Sequence, residues 1–330
     1  MRPRIAGPIL VLTAAAALSG CGGDQSTLRP ESRAADEIAR LWWWMLAVAC
    51  FVFAGSLGML VVAWFRRKRK GMPVVEGGKQ LNLGLVVIFG IAIPVVVNVA
   101  LFIVANFFVI EQTQAPAAST TPMTIEVTGK QWFWEVRYPG TAVVTANEIH
   151  IPARTRVNVV ATTGDVIHSF WVPRLNRKID MIPGRRNRVL LYADKPGRYR
   201  GQCAEFCGLE HAHMAMYVYA QEPQEFDRWL REQSRPAASA PGPGRDAFMR
   251  DGCAACHTIR GTPADGTVGP DLTHVGSRTT LAALTIPNDR EALARWLRNP
   301  DHIKPGTRMP DLRLSEQDVQ SLVDYLEGLK

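Results

Sequence analysis

Two apolar segments, residues 41–65 and 83–109, are each longer than the roughly 20 residues needed to cross the hydrocarbon core of a membrane. Three tryptophans, Trp42 to Trp44, lie near the start of the first segment, and the basic run 66–70 follows its end. Aromatic rings favour the headgroup region, and basic loops remain on the cytoplasmic side. The pattern therefore predicts a two-helix transmembrane hairpin over residues 41–110, with everything after it on the outer side of the membrane. Few polar side chains interrupt the two segments, so we expect them to serve as an anchor in the lipid.

A shorter apolar stretch, residues 9–18, lies at the start of the chain and follows Arg2 and Arg4. A charged start, a short apolar middle and small residues at the cut are typical of a secretory signal, which predicts a signal peptide over residues 1–20 and a mature segment from 21 to 40. Leu18 to Cys21 also fits a lipobox, which predicts lipidation of Cys21. The alternative is an ordinary export signal in which Cys21 is incidental.

The composition excludes several classes of protein. Of the 330 residues, 47% are hydrophobic and 21% are charged, which is too apolar for a disordered or fibrous chain. The formal charge is 38 − 30 = +8, but the run 66–70 contributes five positives, and Arg2 and Arg4 contribute two more, so +1 remains. Because no basic surface is spread over the folded part, we expect no binding to nucleic acid.

The exported region divides at two linkers, residues 111–122 and 234–244. Between them, residues 123–233 alternate short runs of Val, Ile, Thr and aromatic residues with Pro-Gly turns, which predicts an all-β sandwich or barrel. Residues 245–330 show helical periodicity over 281–297 and 315–329. A capping box formed by Ser315 and Asp318 is predicted to open the last helix. This final unit is therefore predicted to be small and all-α.

Soft metal ligands are concentrated in twelve residues of the β-rich unit, with one more ligand upstream. They are Cys203, Cys207, His211 and Met214, together with His168. Thiolates and thioethers suit copper, and a single blue-copper ion uses only one thiolate, so two thiolates fit a pair of copper ions bridged by sulfur. The alternatives are a zinc site and a Cys203–Cys207 disulfide. Zinc has little use for Met214, however, and a disulfide explains neither histidine.

The motif Cys253-Ala-Ala-Cys256-His257 predicts covalent attachment of a c-type haem, with His257 as an iron ligand. A thioredoxin-like redox pair would need a βαβ context, which the surrounding pattern lacks. A thioether is the expected sixth ligand if the haem carries electrons at high potential, and Met309 is the candidate. The competing ligands are His274 and His302.

The pattern Cys-x-Glu-x-Cys-Gly-x-x-His-x-x-Met at residues 203–214 resembles the binuclear copper A loop of subunit II of haem-copper cytochrome c oxidases. Further matching segments are residues 129–134, 165–173, 178–185 and 196–199. The resemblance implies a cupredoxin domain, a Greek-key sandwich. The copper A ligands that it implies are the bridging thiolates of Cys203 and Cys207, the imidazoles of His168 and His211, the thioether of Met214 and the backbone carbonyl of Glu205. It also implies that the Glu205 side chain helps to hold a magnesium ion at the contact with subunit I, and that electrons reach copper A at Trp132.

The Met309 loop and the segment 269–272 resemble class I cytochromes c. Taken together, the resemblances imply a multi-domain subunit II of a caa3-type oxidase, with a membrane hairpin, a copper A domain and a fused cytochrome c domain. Oxygen reduction and proton pumping would then belong to subunit I. The other expected partners are subunit III, the membrane lipid and, as electron donor, a cytochrome c or the cytochrome bc1 complex. The expected location is the bacterial inner membrane. The alternatives are a copper A subunit of a nitric oxide reductase and a free-standing membrane electron carrier.

Overall fold

The computed structural model describes residues 23–67, 83–84, 86–115, 120–238 and 240–330. It forms two units, one built from residues 36–113 and the other from residues 114–330 together with the N-terminal segment up to residue 35. The predicted signal peptide and Cys21 lie outside the described residues.

Among its described residues, the membrane unit contains two long apolar helical segments. Helix α1 spans Arg33–Arg67, and α2 (Ile93–Val104) continues at both ends into π-helical turns, Ile88–Ala92 and Ala105–Ile110. Helix α1 and the continuous helical segment Ile88–Ile110 are long and apolar enough to cross a membrane. Helix α1 begins eight residues before the predicted apolar segment because the Ser32 hydroxyl accepts a hydrogen bond of 3.1 Å from the Ala35 amide and so caps the helix.

The β-rich unit is a sandwich of two five-stranded sheets. The first sheet has the order β3-β2-β1-β5-β8 and contains β1 (Met123–Lys130), β2 (Phe133–Arg137), β3 (Val144–Ala146), β5 (Val157–Thr163) and β8 (Asn187–Leu191). The second has the order β4-β10-β9-β6-β7 and contains β4 (Glu148–Pro152), β6 (His168–Trp171), β7 (Ile179–Met181), β9 (Gly197–Cys203) and β10 (Ala215–Gln221). Helix α3 (Pro223–Ser234) follows β10.

Alternating side chains build the core between the sheets. In β1, every second residue from Ile125 onward is buried, as expected for a strand with one face toward a core. Trp134 and Phe170 are fully buried there and meet edge to face, with ring centroids 6.0 Å apart. Strand β6 pairs with β9 so that Phe170 lies opposite Cys203. This register brings the start of β6 and the end of β9, which carry predicted ligands, to the same end of the sheet.

The C-terminal unit is mainly helical, as predicted. Its helices are α4 (Pro243–Arg250), α5 (Arg290–Arg298), α6 (Pro300–Ile303) and α7 (Glu316–Glu327), with a two-residue strand pair, β11 (Thr280–Leu281) and β12 (Ile286–Pro287). The predicted cap of α7 is confirmed, since the Ser315 hydroxyl accepts a hydrogen bond of 3.1 Å from the Asp318 amide. The prediction of a helix from residue 281 is wrong for its first half. Residues 282–284 all have positive φ angles and form a left-handed turn, and α5 begins only after Asp289 caps it.

Candidate metal centres

Strand pairing and one loop bring the predicted copper ligands together. The Cys203 Sγ lies 3.8 Å from the His168 Nδ1 and 3.2 Å from the Glu205 carbonyl oxygen. The Cys207 Sγ lies 3.6 Å from the His211 Nδ1 and 3.8 Å from the Met214 Sδ. The two sulfurs are 3.8 Å apart. Each thiol thus has one imidazole and one weaker donor beside it, which is a ligand set for two metal ions sharing two sulfurs.

The environment of this cluster fits soft metal ions. Both cysteines are free thiols in the structure, and they are buried. The donor atoms of His168, Cys203 and Cys207 all lie within 4.8 Å of one another. Because the cluster is largely buried and rich in sulfur, it suits copper, and the residues present fit the group that the sequence pattern implies.

The two thiols share their protons unequally. A hydrogen bond from Cys207, aided by His168, lowers the pKa of Cys203 despite burial. The hydrogen bond to the Cys203 thiolate and burial raise the pKa of Cys207. The metal-free pair therefore retains one proton, which metal binding has to displace from Cys207.

Asp165 orients one of the predicted imidazole ligands. Its Oδ1 lies 2.9 Å from the His168 Nε2, which leaves Nδ1 directed at the thiol, and its Oδ2 accepts a hydrogen bond of 2.7 Å from the Gln131 amide. Burial acts to raise the pKa of Asp165, but these hydrogen bonds outweigh it and lower the pKa. A carboxylate behind a ligating histidine fixes the tautomer and orientation of the ring. Asp165 is not among the predicted site residues, although its position three residues before His168 is a signal for this role.

The haem-attachment motif lines a cavity of about 360 Å³. Cys253, Cys256, His257 and Met309 all contribute to its wall. The His257 Nδ1 donates a hydrogen bond of 2.8 Å to the Pro270 carbonyl, so Nε2 is the nitrogen free to bind iron. Burial lowers the pKa of His257, which favours the neutral imidazole that iron needs. These residues fit a covalently attached haem.

The two histidines that compete with Met309 lie elsewhere. The His274 Nε2 donates a hydrogen bond of 3.0 Å to the Arg235 carbonyl, and His302 is exposed on α6. Neither belongs to the described residues that line the cavity. The structure therefore brings Met309, and neither rival, to the face of the haem cavity.

One wall of the haem cavity comes from the sandwich. It includes Lys130, Gln131, Trp132, Phe133 and Asp165. The Trp132 Nε1 donates a hydrogen bond of 3.0 Å to the Cys207 carbonyl. Trp132 therefore contacts the backbone of the thiol cluster and also borders the haem cavity.

The Glu205 side chain faces away from the thiols. It is 44% exposed, and its Oε2 lies 3.7 Å from the Lys178 Nζ. Its backbone carbonyl is the part that contacts the thiol cluster, and the carboxylate, although paired with Lys178, is accessible to a group outside this chain.

Two family descriptions match the part of the chain that follows the apolar helices. Residues 140–221 match the periplasmic domain of cytochrome c oxidase subunit II, and residues 242–330 match cytochrome c. The two matches fall on the sandwich with the thiol cluster and on the helical unit with the haem cavity.

Relatives match across most of the chain. Cytochrome c oxidase subunit 2 of Alkalihalophilus pseudofirmus is 34% identical, over 87% of this chain and 84% of the relative. That of Bacillus subtilis is 30% identical, over 95% of this chain and 94% of the relative. Among solved structures, the periplasmic domain of subunit II of cytochrome oxidase from Bradyrhizobium japonicum is 35% identical and covers 34% of this chain and 94% of its own, with a TM-score of 0.34.

Proposed function

Because this chain belongs to the cytochrome c oxidase subunit II family, we propose that Trp132 joins its two centres into one electron path from haem c to copper A. The chain is a membrane-anchored subunit of a haem-copper oxidase complex, and oxygen is reduced in another subunit. Copper A and haem c, when bound, supply the one-electron chemistry, while the polypeptide positions and tunes them. The observation that carries the proposal is the place of Trp132, which borders the haem cavity and donates a hydrogen bond to the Cys207 carbonyl.

The proposed ligands follow from the contacts of each centre. Copper A is bound by the thiolates of Cys203 and Cys207, the imidazoles of His168 and His211, the Met214 thioether and the Glu205 carbonyl. In the haem domain, Cys253 and Cys256 form the thioether bonds, and His257 and Met309 bind iron. The support is the set of donor distances around the two thiols and the shared cavity wall of the haem residues.

The proposed partners follow from the family and from the exposed carboxylate of Glu205. Subunit I accepts the electrons, and the Glu205 side chain helps to hold a magnesium ion at that contact. Subunit III completes the complex, and a cytochrome c or the cytochrome bc1 complex is the donor. Magnesium prefers carboxylate oxygen, which Glu205 offers.

The proposed topology places both helices across the bacterial inner membrane and both cofactor domains on its outer side. The basic run at residues 66–70 supports a cytoplasmic loop between the helices. We further propose that Cys21 is the lipidated first residue of the mature chain. Intact-mass measurement of the purified subunit tests this, and an unmodified Cys21 or a different N-terminus would refute it.

Stopped-flow spectroscopy of the intact complex tests the order of the centres. In the unmodified complex, electrons from the donor should reduce haem c before they reduce copper A. In Cys207→Ser, the donor should still reduce haem c, while reduction of the haem in subunit I should be blocked. The proposed order is wrong if the haem in subunit I is reduced at the normal rate in this variant. It is also wrong if copper A is reduced before haem c in the unmodified complex.

A further inference from the structure

A lysine from the haem domain is buried against the copper A domain. Lys304 follows α6 and is only 2% exposed. Its Nζ donates hydrogen bonds to the Trp132 carbonyl at 2.9 Å and to the His213 carbonyl at 2.8 Å, both in the copper A domain. A third bond, of 3.1 Å, reaches the Ala282 carbonyl in its own domain. Lysine is almost never fully buried unless it is paired, so an ammonium group that depends on carbonyls of two domains requires an explanation.

The acceptors of Lys304 lie in the backbone that carries the copper ligands. Trp132 is bonded through its ring to the Cys207 carbonyl, and His213 precedes Met214. The turn after Lys304 also touches this loop, since a Cβ built on Gly306 would lie 2.8 Å from the Leu209 Cδ2. The lysine therefore anchors the haem domain directly on the copper A loop.

The third acceptor belongs to the left-handed turn at residues 282–284, whose φ angles are 51°, 58° and 68°. Residues with a Cβ adopt this conformation at a cost, and three in succession persist only when their surroundings hold them. Here Lys304 binds the carbonyl of Ala282, and the Ala215 amide of the copper A domain donates to the carbonyl of Ala283 at 3.4 Å. The turn is thus held from both sides of the domain contact.

We propose that Lys304 is a positioning residue that fixes the haem domain in the docked arrangement from which electrons pass to copper A. This inference rests on the proposed function, because it concerns transfer between the same two centres. Lys304 acts through the backbone of Trp132 and His213. Since its ammonium group is buried, salt screens it little. Arg308 also crosses the contact, to the Gln131 side chain, but it is 61% exposed and contributes less.

The test compares Lys304→Met with Lys330→Met, a matched change at an exposed lysine of the same domain, in the intact complex with both cofactors bound. Electrons are injected into haem c by a light pulse, and the internal transfer rate is followed at increasing solvent viscosity. In the unmodified complex and in Lys330→Met, the rate should not depend on viscosity. In Lys304→Met, the rate should fall about tenfold or more and become viscosity-dependent, because a tethered domain must first find its partner.

Amide hydrogen exchange provides a readout that is independent of electron transfer. The Ala215 amide donates to Ala283, and the Thr279 amide donates to Glu148 at 2.8 Å, so both report contact between the domains. In Lys304→Met their protection should fall about tenfold or more, which corresponds to roughly 1.4 kcal/mol, with the haem and copper spectra unchanged.

Several results would overturn the inference. Unchanged transfer and unchanged amide protection in Lys304→Met would do so, as would viscosity-dependent transfer in the unmodified complex. If Lys304→Met does not assemble both centres, Lys304→Gln, which is shorter and cannot reach all three carbonyls, decides on the same criteria. If the unmodified complex passes no electrons from haem c to copper A, the proposed function is wrong instead.

Discussion

At the scale of single residues, the two cysteines of the thiol cluster differ in environment and in how readily they lose a proton. Cys203 ends a strand and is already inclined to lose its proton, whereas Cys207 lies in the loop and holds the proton that the pair retains. Because ligating sulfur must be deprotonated, copper binding releases that proton, and acid should therefore weaken binding. Loss of either sulfur should leave a single thiolate, which is too few for the proposed pair of copper ions.

We expect Cys207→Ser to abolish the two-copper centre, because one of the two proposed thiolate ligands is removed and a hydroxyl is a poor ligand for copper. Copper content and electron paramagnetic resonance of the purified complex measure this. Cys50→Ser is the matched control, since Cys50 is exposed on α1, and it should keep both copper ions. An unchanged mixed-valence signal in Cys207→Ser would contradict the ligand assignment.

Met309→Ala should lower the potential of haem c while copper A remains assembled. A thioether ligand raises the haem potential, and axial ligands set potentials over a range of about 0.8 V, so a fall on the order of 0.1 V is expected. Redox titration of the haem absorption measures it. Met249→Ala, at a partly exposed methionine of the same domain that does not line the cavity, should leave the potential unchanged. Equal potentials in the two variants would remove Met309 from the iron site.

At the scale of elements, each centre has one histidine whose ring packs closely against the backbone of a glycine. A Cβ on Gly129, in β1, would lie 2.8 Å from the His168 Cδ2. A Cβ on Gly269, in the loop after the haem motif, would lie 2.5 Å from the His257 Cε1. Real Cβ atoms do not approach so closely, so each ring can occupy its place only beside glycine.

We expect Gly129→Ala to displace the His168 ring and alter the copper A spectrum, and Gly269→Ala to displace the His257 ring and alter the haem spectrum. Each change should also destabilise its domain by about 1–3 kcal/mol, as overpacking does. Thermal unfolding and optical spectra measure both effects. Gly164→Ala is the control, because its nearest contact would be an ordinary 3.6 Å. Each variant should alter the spectrum of its own centre only. A native spectrum at that centre would show that the neighbouring histidine ring has room to move.

The elements also show where sequence patterns suffice. The cap of α7 is local, since Ser315 meets an amide three residues later, and the pattern predicted it. The left-handed turn at 282–284 is held by Lys304 and Ala215, which are distant in sequence. Its residues, Ala-Ala-Leu, favour a helix, so local propensity predicted one where contacts between domains impose a turn.

At the scale of the whole molecule, the copper A and haem domains also meet through a buried carboxylate. Glu148 accepts hydrogen bonds from the Thr279 amide at 2.8 Å and from its hydroxyl at 2.7 Å. Burial acts to raise the pKa of Glu148, but the bonds from His150 and Thr279 outweigh it, and the pKa lies below the usual 4.5. A carboxylate with a lowered pKa stabilises the docked state above pH 4.5, and this stabilisation is lost as the pH falls through the lowered value.

We therefore expect protection of the Thr279 amide, corrected for intrinsic exchange, to be constant above pH 4.5 and to decline below it. In Glu148→Gln it should be low throughout, because an amide is a weaker acceptor than a carboxylate. Glu222→Gln, at an exposed glutamate of the copper A domain, should behave like the unmodified complex. Protection that does not change with pH in the unmodified protein would show that Glu148 does not control the contact.

The order of the domains was predictable because each cofactor motif is short and each linker has a distinct composition. The contact between the domains was not. Lys304 and Glu148 are ordinary polar residues by type, and only the folded chain shows that each is buried and hydrogen-bonded across this contact. Asp165 was predictable only in part. Its spacing from His168 is visible in the sequence, but its contact with the His168 ring is visible only in the structure.

The shared wall of the haem cavity also constrains how the subunit matures. Cys253 and Cys256 open into a space that Trp132 and Phe133 close from the other domain. Machinery that attaches haem covalently must reach both thiols while that wall is absent. Haem attachment should therefore precede docking of the two domains, and a subunit that docks too early would exclude its own cofactor.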